Sequence, residues 1–267
     1  MSLRVGYFQF APVFGEPETN LSRVVSGLQQ AEADLIVLPE LPFSGYLFED
    51  RNELATLAEE PTDSAAVDTL AELCQKRGFH LVTGFTERAG DKLYNSALLI
   101  GPQGLIHTYR KLHLFNTETE YFDPGDTPLV THEICGAHIG IMVCYDWAFP
   151  EVARSLALQG ADIICHPSNL VLPWGQQAMQ VRCLENSMYA ITTNRFGTDE
   201  RSRGSVTFTG QSQITGPRGE IIHQAEQQDE ELFITEIDPA KARDKQIAPL
   251  NHLINDRRPE FYTTVYK

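Results

Sequence analysis

Short apolar runs alternate with stretches of helical period along the whole chain. VGYFQF (5–10) is a dense run of strand-forming residues. Asn20 stands as an N-cap before LSRVVSGLQQAEA (21–33), and LIVLPE (35–40) follows as a buried strand rich in branched side chains. AVDTLAELCQKRG (66–78) has helical spacing, with Gly78 as its terminator. HLVTGFTER (80–88), NSALLIG (95–101) and LIHTYRK (105–111) read as three strands, the last two joined across a Gly101–Gly104 turn.

After an irregular polar stretch, 112–128, the pattern repeats. HIGIMVCY (138–145) is a strand, and PEVARSLALQG (150–160) a helix with Pro150 in its first turn and Gly160 at its end. ADIICHPS (161–168) is a further strand, QQAMQVRCLENSM (176–188) a helix and YAITTNR (189–195) a strand. QSQITGPRGEIIHQ (211–224) reads as a hairpin around Pro217–Gly219, and ELFITEID (231–238) completes the core. No Pro- or Ser-rich linker divides the chain, so residues 1–267 are expected to form one domain. Strands alternating with helices imply an α/β fold with many strands buried on both faces. The surplus of strands fits two sheets face to face with helices outside.

Composition narrows the function classes. Hydrophobic residues are 42% and charged residues 21% of the chain, which excludes a disordered or collagen-like protein. The net charge of −15 repels phosphate backbones and anionic lipid, so neither nucleic acid nor a membrane surface is expected as a partner. No apolar run approaches the roughly 18 residues that cross a bilayer, and MSLRVGYFQF lacks the layout of a signal peptide. Five cysteines, at 74, 135, 144, 165 and 183, form no close pair. That argues against disulfides and paired-thiol metal sites and makes a reducing cytoplasm the expectation.

Three polar residues stand at the ends of apolar strands: Glu40, Lys111 and Cys144. A thiol is only a few per cent ionised near pH 7 and needs a base or a cation to act as a nucleophile. Glu40 offers the base, Lys111 the cation, and the helix beginning near Phe149 a positive dipole end. Singly, each has a plain reading as a strand end or a small core side chain. The other cysteines read as packing residues, with Cys135 in a CGAH turn. A Cys–His protease would need an activating histidine, and His113 and His166, the two near these segments, sit in no such signature.

Together the residues carry a resemblance. LPELPFSGY (38–46), YRKLHLF (109–115) and GIMVCYDWAFPE (140–151) are similar to the three signature regions of the nitrilase superfamily of carbon–nitrogen hydrolases. HPSNLVLP (166–173), RCLENSMYAITTNRFG (182–197) and NDRRPEFY (255–262) also resemble family segments, so the likeness spans nearly the whole chain. It implies a four-layer α-β-β-α sandwich and a triad of Glu40 as general base, Lys111 as oxyanion stabiliser and Cys144 as nucleophile. It implies a second glutamate after the lysine. Glu118, six residues before Pro124, is favoured, with Glu120, four before it, as the runner-up. Tyr46, Tyr145, Asn169 and Trp174 are expected to bind substrate, and His113 to pack behind Lys111.

The implied reaction is hydrolysis of a small aliphatic amide through a thioester, without metal or cofactor, releasing ammonia and a carboxylic acid. An aliphatic nitrile or an N-carbamoyl compound are alternatives on the same residues. Arg110 and Arg182 are candidate anchors for a substrate carboxylate, while aromatic side chains including Trp147 suit a narrow pocket. A catalytically inactive scaffold would have no need of all three motif residues, and a thiol redox protein would want a close cysteine pair. Family likeness further implies a homodimer or higher oligomer, with the apolar, aromatic tail 251–267 crossing onto the partner.

Overall fold

The computed structural model describes residues 2–266. Met1 and Lys267, the two ends of the expected single domain, lie outside the described residues.

Among the described residues the core is two six-stranded sheets. The first is built from β1 (Leu3–Gln9), β2 (Leu35–Val37), β3 (His80–Ala89), β4 (Lys92–Gly101) and β5 (Gly104–Arg110), with β14 (Glu231–Ile237) beside β1. β1, β2 and β3 run parallel; β4, β5 and β14 are antiparallel to their neighbours. The second repeats that logic. β7 (Ala137–Ile141), β8 (Ile163–Pro167) and β9 (Tyr189–Thr193) are its parallel centre. β6 (Thr131–Ile134), β12 (Gln213–Thr215) and β13 (Ile221–Gln224) complete it with antiparallel pairing.

Period-two alternation sorts the strands' side chains into layers. Val5, Tyr7, Leu35, Val37, Ile163, Cys165, Tyr189 and Ile191 meet in one cluster between the sheets. The alternate residue Ile36 faces α1 (Pro17–Leu28) and α3 (Ala65–Arg77), while Ile164 and Ala190 face α4 (Pro150–Leu158) and α5 (Gly175–Asn186). Helix, sheet, sheet, helix is therefore the layering, as the motifs imply. At one end a further cluster joins α2 (Arg51–Leu57) to loop residues Leu41, Tyr46, Tyr121 and Phe122 and to Phe208 of the hairpin β10 (Phe196–Arg201)–β11 (Gly204–Thr209). α6 (Pro239–Arg243) and the short pair β15 (Gln246–Ala248) and β16 (Asn251–His252) lead into the tail.

Local chemistry accounts for several boundaries. Ser64 accepts from the Val67 N–H at the start of α3, and Gly78 closes the helix at φ 77°. Asn20 is a correction: α1 already begins at Pro17. The Asn20 amide is buried, accepting from Val13 N–H and donating to the Val13 and Phe43 carbonyls. It ties the chain after β1 to the loop after β2 rather than capping a helix.

Candidate active site

The strands carrying the motifs stop short of them. β2 ends at Val37, three residues before Glu40, and β7 ends at Ile141, three before Cys144. Lys111 follows β5 directly. All three therefore sit on tight loops just past strand ends, where layered α/β folds collect reactive groups.

Close backbone approach builds those loops. A Cβ on Gly84 of β3 would lie 2.3 Å from the Leu41 nitrogen and 2.6 Å from the Glu40 Cα, so only glycine lets the Glu40 loop lie against that strand. Gly125 does the same for Lys111, with a Cβ there only 2.6 Å from the Lys111 carbonyl oxygen. Cys144 has φ 42°, a left-handed conformation rare for a side chain with a Cβ. A backbone bond from Asp146 N–H to the Val143 carbonyl at 3.0 Å crosses this turn, and side chains brace it. His166 Nε2 donates to the Cys144 carbonyl oxygen at 2.9 Å, and Asp146 Oδ2 accepts from Val143 N–H at 2.9 Å. Asp146 also accepts from Tyr109 Oη at 2.7 Å and His113 Nδ1 at 2.8 Å. His113, expected behind Lys111, instead supports the cysteine turn through Asp146.

Lys111 Nζ lies 2.7 Å from Glu40 Oε1 and 2.8 Å from both oxygens of Glu118, and no part of its side chain reaches solvent. Asn95 Nδ2 donates to the same Glu40 oxygen at 2.6 Å, whereas Glu40 Oε2 is buried with no partner. Tyr46 Oη donates to Glu118 at 2.7 Å, and Phe115 N–H at 3.0 Å. Of the two glutamates weighed from sequence, Glu118 joins the lysine. Glu120 is exposed and pairs with Arg203.

The electrostatics follow from burial and these neighbours. Burial works against the Lys111 ammonium, but Glu118 and Glu40 outweigh it and hold its pKa well above the ordinary lysine value. Burial and then Glu40 push the Cys144 thiol well up, with Lys111 and the Asn169 backbone N–H opposing, so at rest the sulfur is a neutral thiol. Burial also raises Glu118, against the pull of Lys111. The site is a caged cation, a protonated sulfur and one carboxylate oxygen left free. That set can move a proton from the sulfur and meet negative charge on an attacked carbonyl.

One cavity reaches Cys144. Phe115, Tyr145, Trp147 and residues 169–172 line it. Asn169, Tyr145 and Trp147 are thus brought beside the sulfur. Tyr46 is buried against Glu118, outside this lining. Trp174, expected in the pocket, is 58% exposed at the start of α5 and is not among the lining residues. Neither Arg110 nor Arg182 is among the lining residues: Arg110 pairs with Glu87 and Asp126, and Arg182 pairs with Glu185 and donates to the Trp147 carbonyl behind the lining. Asn95 and Asp146 went unread in the sequence. A trace was there for Asn95, an amide opening the apolar run NSALLIG.

Comparisons with known proteins bear on the family and the fold. A family model described as carbon–nitrogen hydrolase matches residues 4–246. The chain is 41% identical over 263 residues to a protein named nitrilase from Pyrococcus abyssi, covering 97% of this chain and 99% of that one. It is 31% identical over 241 residues to an (R)-stereoselective amidase from a Pseudomonas species, covering 88% and 85%. A carbon–nitrogen hydrolase structure from Helicobacter pylori matches with a TM-score of 0.90 at 26% identity, covering 100% of this chain and 99% of that one.

Proposed function

This chain belongs to the nitrilase superfamily of carbon–nitrogen hydrolases, and we propose that within it the protein hydrolyses small aliphatic amides through a thioester on Cys144. One observation supports this reading above the rest: the buried cluster in which Lys111 bridges Glu40 and Glu118 while Glu40 Oε2 stays unpartnered and the Glu40 charge bears on the Cys144 thiol.

In this mechanism Glu40 Oε2 takes the Cys144 proton as the sulfur bonds to the amide carbon. The carbonyl π pair moves to oxygen, where the Lys111 ammonium and the Tyr145 backbone N–H meet the charge; one such donor is worth about 3–4 kcal/mol in comparable sites. As the tetrahedral adduct collapses, the C–N bond breaks and Glu40 passes its proton to the nitrogen, releasing ammonia. Water then attacks the thioester carbon, giving its proton to Glu40. The second collapse breaks the C–S bond and returns that proton to the sulfur. Glu118 keeps Lys111 protonated and in place.

A nitrile is the second reading, favoured by the name of the 41% identical relative. The test is ammonia release from a panel of small amides, nitriles and N-carbamoyl compounds, with Cys144→Ala as control. Amides turning over fastest is the expected result, and Cys144→Ala should fall below about a thousandth of wild type while staying folded. Faster nitrile turnover replaces the amide reading. Residual activity above that level removes the nucleophile assignment.

A further inference from the structure

Asn169 is 2% exposed and lines the cavity beside Cys144, yet neither its Oδ1 nor its Nδ2 has a hydrogen-bond partner. Buried side-chain amides are normally satisfied. Asn194, close by, shows the contrast: its Oδ1 accepts from Leu170 N–H at 2.8 Å, and its Nδ2 donates to Thr209 Oγ1 and the Gly210 carbonyl. The fold thus spends one asparagine on bracing this end of the sandwich and leaves the other, in the cavity wall, with a buried donor and a buried acceptor that no protein group satisfies.

The scissile amide does not need them. Its oxygen has Lys111 and the Tyr145 N–H, and its nitrogen has Glu40. Asn169 is therefore left for the acyl side of the substrate. The rest of the lining is apolar or aromatic, with no charged side chain among the described residues. A carboxylate or ammonium on the acyl chain would be buried there without a counter-charge. We infer that Asn169 is the specificity-determining residue, and that the preferred substrate is an uncharged amide whose acyl chain carries one neutral group able both to donate and to accept. This rests on the amide reading above.

The experiment compares ammonia release from 2-hydroxypropionamide, from propionamide, which lacks only the hydroxyl, and from the anion malonamate. A site built to bond a substrate hydroxyl rejects the analogue without it. Wild-type kcat/KM should favour the hydroxyamide at least about tenfold over propionamide, and both should exceed malonamate by about a hundredfold or more. In Asn169→Leu the hydroxyamide-to-propionamide ratio should fall to within about twofold of one. The ratio is the readout, since the backbone N–H that serves the sulfur remains in any variant. A wild-type ratio near one overturns the inference even if Asn169→Leu fails to fold. So does an unchanged ratio in the folded variant, or malonamate turning over as fast as propionamide. Turnover of nitriles but of none of the amides overturns instead the reading on which the inference rests.

Discussion

At the scale of single residues, Lys111 is the position where burial, geometry and charge converge. Its ammonium contacts three carboxylate oxygens within 2.8 Å and has no access to water. In the proposed mechanism it meets a charge that exists mainly in the transition state, so its loss acts on the chemical step more than on binding. Lys111→Met should lower kcat by about two to four orders of magnitude, by analogy with oxyanion-hole deletions, and change KM far less. Arginine should not restore it, because a planar fork cannot replace a compact charge caged between Glu40 and Glu118. Steady-state kinetics of both variants decides: near-normal kcat in Lys111→Met removes the lysine from the mechanism. Glu40, Lys111 and Cys144 stood out because each closes an apolar run, and the resemblance of their segments to the family motifs supplied their roles and that of Glu118. Asn95 was not legible, because its role exists only once β4 brings its amide to Glu40.

At the scale of elements, legibility followed from how local each signal is. α3 carries its own cap, period and terminator, and was readable over its full length. The apolar strands were readable, but their ends were overrun by about three residues, because LIVLPE and HIGIMVCY stay apolar through the loops that carry Glu40 and Cys144. The β10–β11 hairpin, running through the polar DERSRG segment, left no apolar pattern to read. Contacts between elements were wholly out of reach, and one has a consequence for stability. His107 of β5 and His132 of β6, on the edge strands of the two sheets, pack with ring centroids 4.4 Å apart. Burial, reinforced by His132, pushes His107 down to about 4, and full burial does the same to His166, the residue that holds the Cys144 turn. Both are neutral in the fold, whereas the unfolded chain takes up protons as pH drops through the ordinary value of about 6.5. Their stabilising contribution is thus complete above pH 6.5 and is lost as pH falls towards 4. The urea midpoint should be lower at pH 5 than at pH 7, and His107→Gln should narrow that gap. An equal gap in wild type and variant would take His107 out of the account.

At the scale of the whole molecule, one surface is left unfinished. β15 is rooted beside the end of α5, where Lys245 Nζ donates to the Asn186 and Ser187 carbonyls at 2.8 Å. Ile247 is 56%, Leu250 92% and Phe261 67% exposed, and Val181 and Leu184 on α5 are exposed as well. Large apolar side chains left exposed in this number mark a contact surface more often than a free terminus. We propose that residues 251–267 cross onto a second copy of this chain, which would bury apolar side chains of the tail without any change in the sandwich. No helix among the described residues is long and apolar enough to cross a membrane, so a bilayer-spanning helix does not account for it. Light scattering at micromolar concentration should give about twice the 29.9 kDa chain mass, and a chain ending at Leu250 should run as a monomer with its core intact. A full-length mass near 30 kDa would refute the arm. A shortened chain that still ran as a dimer would move the interface off the tail and onto the exposed face of α5.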